Sequence, residues 1–267
     1  MILNEEIYNI GQLRIERLIE DIQNEKINTY EGIDKLVGEI RRIFELHKFR
    51  ILIIKSTRVD FLLMGILLDK KIVEKLTQKI TTSIVLNKPF YFDRRDLIDS
   101  EFTLLIDAAA LFNKYPIKFS PGEITAIILH ELGHLINLNN FIDDFLKKFK
   151  EFVERRKIVG GLTKLLQNVP LLKYFVRFFL LNWYYRRFII QEENYISQKA
   201  ADSLVIEYGY GKEMIIALDK MKRLVEYLKF RSYEDIHMRI SNIEDIVKNE
   251  LAKTTDPTHR RYLEDLL

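Results

Sequence analysis

The chain has 267 residues, 48% apolar and 30% charged, a balance that excludes a disordered or collagen-like polypeptide and allows a core of ordinary size. Its formal net charge is only +3, so overall charge assigns no partner. Cysteine is absent, which excludes disulfides and thiolate metal sites, so a bound metal must use histidine, carboxylate or amide ligands.

The N-terminal stretch MILNEEIYNIGQLRIERL has acids at positions 5 and 6 and no apolar run of signal-peptide length, so a cytoplasmic setting is expected. Apolar residues recur at three- and four-residue steps, first Ile15, Leu18, Ile19 and Ile22, then Ile33, Leu36, Val37, Ile40 and Ile43. That period predicts two amphipathic helices, with NTYEG between them.

Four short apolar or β-branched runs follow: RILIIKST (50–57), TSIVL (82–86), PFYF (89–92) and YPIKFS (115–120). Each is bounded by turn residues, and each is expected to be a strand of a small sheet. Beyond residue 120 the helical pattern returns. The expectation is a single α-rich α+β domain, with N-terminal helices over 1–49, the sheet and a site-bearing helix over 50–145, a basic aromatic insertion over 146–190, and further helices over 191–267.

The segment FSPGEITAIILHELGHLINL carries a full set of helix-start signals. Ser120 is a capping residue, Pro121 occupies the first helical position where its missing N–H costs nothing, and Glu123 can close a capping box onto residue 120. Within this helix His130 and His134 lie four residues apart and share a face, as two ligands of one ion must. Glu131 lies one step round, where a carboxylate can act as general base on a metal-activated water without itself being a ligand. Gly133 leaves the helix flank open for a close neighbour. The surrounding run of Ile, Leu and Ala implies burial, and buried polar side chains need partners, which a metal supplies.

Glu123, Ala126, Ile127, Ile128, His130, Glu131, Gly133 and His134 fill the pattern E-x-x-A-[VI]-[LI]-x-H-E-x-G-H, and here the sequence resembles the gluzincin-type zinc metallopeptidases related to HtpX and the CAAX prenyl proteases. The resemblance implies a zincin-like core, one Zn2+ per chain, and endopeptidase activity on a protein or peptide substrate. In that family a second helix carries E-x-x-x-D, its Glu the third ligand and its Asp a partner of a ligand histidine. QKAADSLVIEYGYG (198–211) is the counterpart, with Gln198 at the ligand position and Asp202 at the partner position.

Gln198 and Asp202 are four apart on one helical face, so the geometry is kept while the ligand's charge is lost. An amide oxygen is the weaker zinc ligand and leaves the site one unit more positive, which lowers metal affinity and makes the bound water more acidic. Asp202 itself, Glu192 and Glu193 are the other candidates for third ligand, the two glutamates requiring a helix break near Tyr195. The family also places a His and an Arg near the substrate, for which His237 and Arg239 in EDIHMRISNI are loose counterparts. His47 and His259 have no motif around them and read as surface residues.

Residues 146–190 hold eleven Lys or Arg against two Glu, together with ten aromatics that include Trp183, the only tryptophan. The longest uncharged stretch of the aromatic part, FFLLNWYY, is too short to span a bilayer. The segment reads as a helical hairpin packed over the site; contact with a membrane surface is the other use its composition fits. Nucleic acid is the least favoured partner, because no binding motif accompanies the basic residues.

Overall fold

The computed structural model describes residues 5–55, 64–68, 101–136, 190–228 and 236–267, together with positions 71, 74, 75, 78, 79 and 147. The strands expected at 82–86 and 89–92, and nearly all of the basic aromatic segment, lie outside the described residues.

The chain begins with α1 (Glu5–Gln23) and α2 (Thr29–Phe44). Their apolar stripes point inward as the period predicts: Ile15, Ile19, Ile22, Leu36, Ile40 and Ile43 are buried, and Leu18, Ile33 and Val37 pack at the margin. Asn28 caps α2, its side chain accepting from the Tyr30 N–H at 2.9 Å. Glu45 closes the helix in the left-handed region at φ 55°.

A three-stranded sheet follows, formed by β1 (Lys48–Ile54), β2 (Met64–Leu68) and β3 (Glu101–Asp107) in the order β1-β3-β2. The central strand β3 runs parallel to β1, with Ile51 opposite Leu104, and antiparallel to β2, with Ile66 opposite Leu104. Alternate β3 residues Phe102, Leu104 and Ile106 are fully buried and, with Phe49 of β1 beside Phe102, form the inner face of the sheet. Of the strands expected from sequence among the described residues, 50–57 corresponds to β1. Strands β2 and β3 occur where none was expected.

The segment 115–120 is not a strand. Asn113, at φ 52°, turns the chain, and its Oδ1 accepts from the Phe119 N–H at 2.9 Å. Gln23 Nε2 donates to the Phe119 carbonyl at 3.1 Å. Side chains therefore satisfy the Phe119 backbone groups that a strand would give to a neighbour. Just upstream, Asp107 ends β3 and caps the single-turn α3 (Ala108–Leu111) by accepting from the Ala109 and Ala110 N–H groups.

The remaining elements are α4 (Pro121–Ile136), α5 (Ile190–Glu207), α6 (Gly211–Leu228), α7 (Ile236–Leu251) and α8 (Pro257–Glu264). Helix α4 is the hub of the fold, buried on nearly every side, with α1, β2, α5 and α6 packed around it. The architecture is thus helix-rich α+β with a small sheet. Among the described residues, no helix is long and apolar enough to cross a membrane.

Candidate metal centre

The start of α4 is fixed by the expected capping box. The Ser120 N–H donates to Glu123 Oε2 at 3.0 Å, and the Glu123 N–H donates to Ser120 Oγ at 3.3 Å. Lys220 of α6 reaches the same carboxylate, at 2.7 Å from Oε1 and 2.8 Å from Oε2. Glu123 is 4% exposed, so this bidentate contact gives a buried acid its counter-charge and ties α4 to α6.

Two and three turns further along, His130 and His134 meet. Their Nε2 atoms are 3.1 Å apart and the rings stand nearly perpendicular, at 83°. Two imidazole nitrogens bound to one tetrahedral zinc at ordinary bond lengths stand about 3.3–3.4 Å apart. The ligand-capable atoms of His130, Glu131 and His134 all lie within 4.8 Å of one another, close enough to bind one metal ion.

The His134 ring is a neutral, lone-pair-bearing imidazole. Burial, then the neighbouring His130 and the Arg239 charge, bring His134 down to about 3, with Asp202 opposing. The His130 ring is only 1% exposed, and its Nδ1 lies 2.8 Å from Asp202 Oδ1. Donation from Nδ1 to that carboxylate selects the tautomer in which Nε2 is free to coordinate. Burial works to raise the Asp202 pKa, but the Arg239 guanidinium and the His130 ring hold it below the ordinary carboxylate value.

Helix α5 delivers Asp202 to this position through a close crossing. A Cβ on Gly133 would lie 2.8 Å from Ala201 Cα and 3.0 Å from its carbonyl oxygen, so only glycine at 133 lets α5 come this near. Gln198 lies one turn before Asp202 on the same helix, and its Oε1 is buried with no hydrogen-bond partner. An orphaned buried amide oxygen costs about 1–3 kcal/mol. His130, Glu131 and His134 are close enough to hold one ion, and Gln198 brings an unsatisfied amide oxygen on the helix packed against theirs.

The other candidates are arranged differently. Asp202 Oδ1 is engaged at Nδ1 of His130, across the ring from the Nε2 that faces His134. Helix α5 runs without a break through Tyr195, which puts positions 192 and 193 about 120° and 140° round the helix from position 198. His237 lies in the first turn of α7. Arg239, 2% exposed, has its Nη2 at 3.0 Å from Asp202 Oδ1 and 3.1 Å from His130 Nδ1. It stands behind the metal-facing edge of His130 rather than over it. His47 is exposed and His259 pairs at the surface with Glu250 at 3.5 Å.

Sequence reasoning therefore brought Arg239 to the site without its contact to Asp202, and it missed the Lys220–Glu123 tie altogether. Nothing in the local pattern signals either. Each cation lies on a different helix from its acid, 37 and 97 residues away in the chain. Compared with family models, curated proteins and solved structures, the chain matches none.

Proposed function

We propose that the protein is a zinc-dependent endopeptidase with a zincin-like core. The observation that carries this reading is the 3.1 Å approach of His130 Nε2 to His134 Nε2 beside the Glu131 carboxylate. His130, His134 and Gln198 hold one zinc in this proposal. When bound, the metal supplies Lewis acidity, lowering the pKa of water to about 7 and polarising a carbonyl.

The protein's own groups do the rest. Glu131 takes a proton from the attacking water and passes it to the leaving amine. Asp202 keeps His130 in the coordinating tautomer, and Arg239 keeps Asp202 ionised. The substrate is a protein or peptide in extended form. Strand β2, outermost in the sheet among the described residues and packed on α4, offers the edge for it that 115–119 does not.

Cleavage of an unstructured protein, measured beside metal content, tests the reading. Glu131→Gln is expected to load zinc as the parent does and to lose about 10²–10⁴-fold in rate, the usual worth of general base catalysis. Cleavage by both forms at the same rate overturns it. If both load zinc and neither cleaves, a metal-bearing binding protein, which the neutral Gln198 supports, replaces the enzyme.

A further inference from the structure

We infer that an ordered water between α5 and α7 joins Asn242 to Asp202, which makes Asn242 a positioning residue for His130; only its bearing on the metal rests on the reading above. Asp202 and Asn242 are 0% and 2% exposed. Oδ2 of Asp202 and Nδ2 of Asn242 are both buried without a hydrogen-bond partner. The carboxylate oxygen can only accept and the amide nitrogen can only donate, so the two needs are complementary. Folded interiors rarely leave either kind of group unmet.

The fold turns both groups to one place. Helices α5 and α7 pack against each other. Arg239 and Asn242 are three residues apart on α7 and share a face, and from that face Arg239 reaches Asp202 Oδ1 at 3.0 Å. Asn242 stands one turn further along, about 4.5 Å up the helix. Its amide and the Asp202 carboxylate are not bonded directly, and one water bonded to both spans up to about 5.5 Å. The water accepts from Asn242 Nδ2 and donates to Asp202 Oδ2, the oxygen that His130 and Arg239 leave unused. With both its oxygens engaged the carboxylate cannot turn, and the Nδ1–H of His130 keeps its acceptor.

The test uses the whole chain. A crystal structure fine enough to show ordered solvent is expected to place a water about 2.7–3.2 Å from both atoms. Two substitutions then separate positioning from packing: Asn242→Leu keeps a branched side chain without a donor, and Asn242→Ser loses volume but keeps a hydroxyl donor. In zinc-free protein the Nδ1–H proton of His130, followed by NMR, should resonate far downfield in the parent and in Asn242→Ser. In Asn242→Leu it should move upfield and exchange with solvent on the order of tenfold faster. Zinc affinity should fall about tenfold in Asn242→Leu, the low end for losing a group that orients a ligand, and stay near the parent's in Asn242→Ser. No water between the two atoms, an unmoved Nδ1–H signal in Asn242→Leu, or its equal loss in Asn242→Ser overturns the inference. A parent that shows the downfield proton and the water but takes up no zinc sinks the metal reading and leaves the role of Asn242 standing.

Discussion

Replacing Asp202 with Asn removes one charge and almost no volume, and two close contacts converge on its Oδ1 while a third joins the two partners to each other. Oδ1 of Asp202 is 2.8 Å from His130 Nδ1 and 3.0 Å from Arg239 Nη2, while Arg239 Nη2 is 3.1 Å from the same ring nitrogen. Asp202 is 0% and Arg239 2% exposed, so the substitution takes a buried counter-charge away from a buried guanidinium. Breaking a buried pair from one side costs about 3–5 kcal/mol. For a chain of this length each kcal/mol lowers Tm by about 2–4 °C, so a fall of roughly 6–20 °C is expected in the metal-free protein.

Zinc affinity, measured by competition with a chromophoric chelator, should drop by about 10–100-fold as well, because Asn no longer enforces the Nδ1–H tautomer of His130. The double variant Asp202→Asn/Arg239→Met separates the two effects. With both charges of the pair removed it should recover much of the stability, yet none of the zinc affinity. A single variant that loses less than about 1 kcal/mol in urea unfolding, or a double variant no more stable than the single, refutes the charge argument.

Two further outcomes follow from the same geometry. Gly133→Ala gains about 1 kcal/mol of helix propensity but drives its Cβ to 2.8 Å from the Ala201 backbone, an overpacking worth about 1–3 kcal/mol. It should therefore lower both Tm and zinc affinity, and a raised Tm would show that α4 and α5 do not cross as closely as described. In metal-free protein, His134 titrates near 3 when folded and at its ordinary value of 6.5 when unfolded. Between those values the unfolded chain binds the extra proton, so stability is lost as pH falls from about 6.5 towards 3. Urea midpoints measured with chelator present should decline across that window, and more shallowly in His134→Gln; identical slopes in the two proteins would refute the assignment.

The sequence was legible wherever neighbours along the chain decide the structure. Helices α1 and α2 follow from their three- and four-residue period, and the start of α4 follows from Ser120, Pro121 and Glu123, whose interactions close within one turn. The pairing of His130 with His134 was legible for the same reason, since residues four apart on a helix must adjoin. Strands β2 and β3 were not. MGILL has no period to read, and EFTLLID merges into AAALF, so its alternation is hidden in a longer apolar run. Conversely YPIKFS looks like a strand, but Asn113 and Gln23 bind its backbone, and one of them is 96 residues from its partner Phe119.

By itself the sequence determined that two imidazoles and an acid share one turn of a buried helix, and that Gln198 and Asp202 share a face of another. Only the tertiary structure decided how those helices meet: that Ala201 rests on Gly133, that Asp202 orients His130, and that Arg239, 109 residues from that histidine, neutralises the acid between them. The physical reason is range. Helix period and capping are set by atoms a few bonds apart, whereas the charge around a buried ion is set by side chains that approach only when distant segments pack and exclude water.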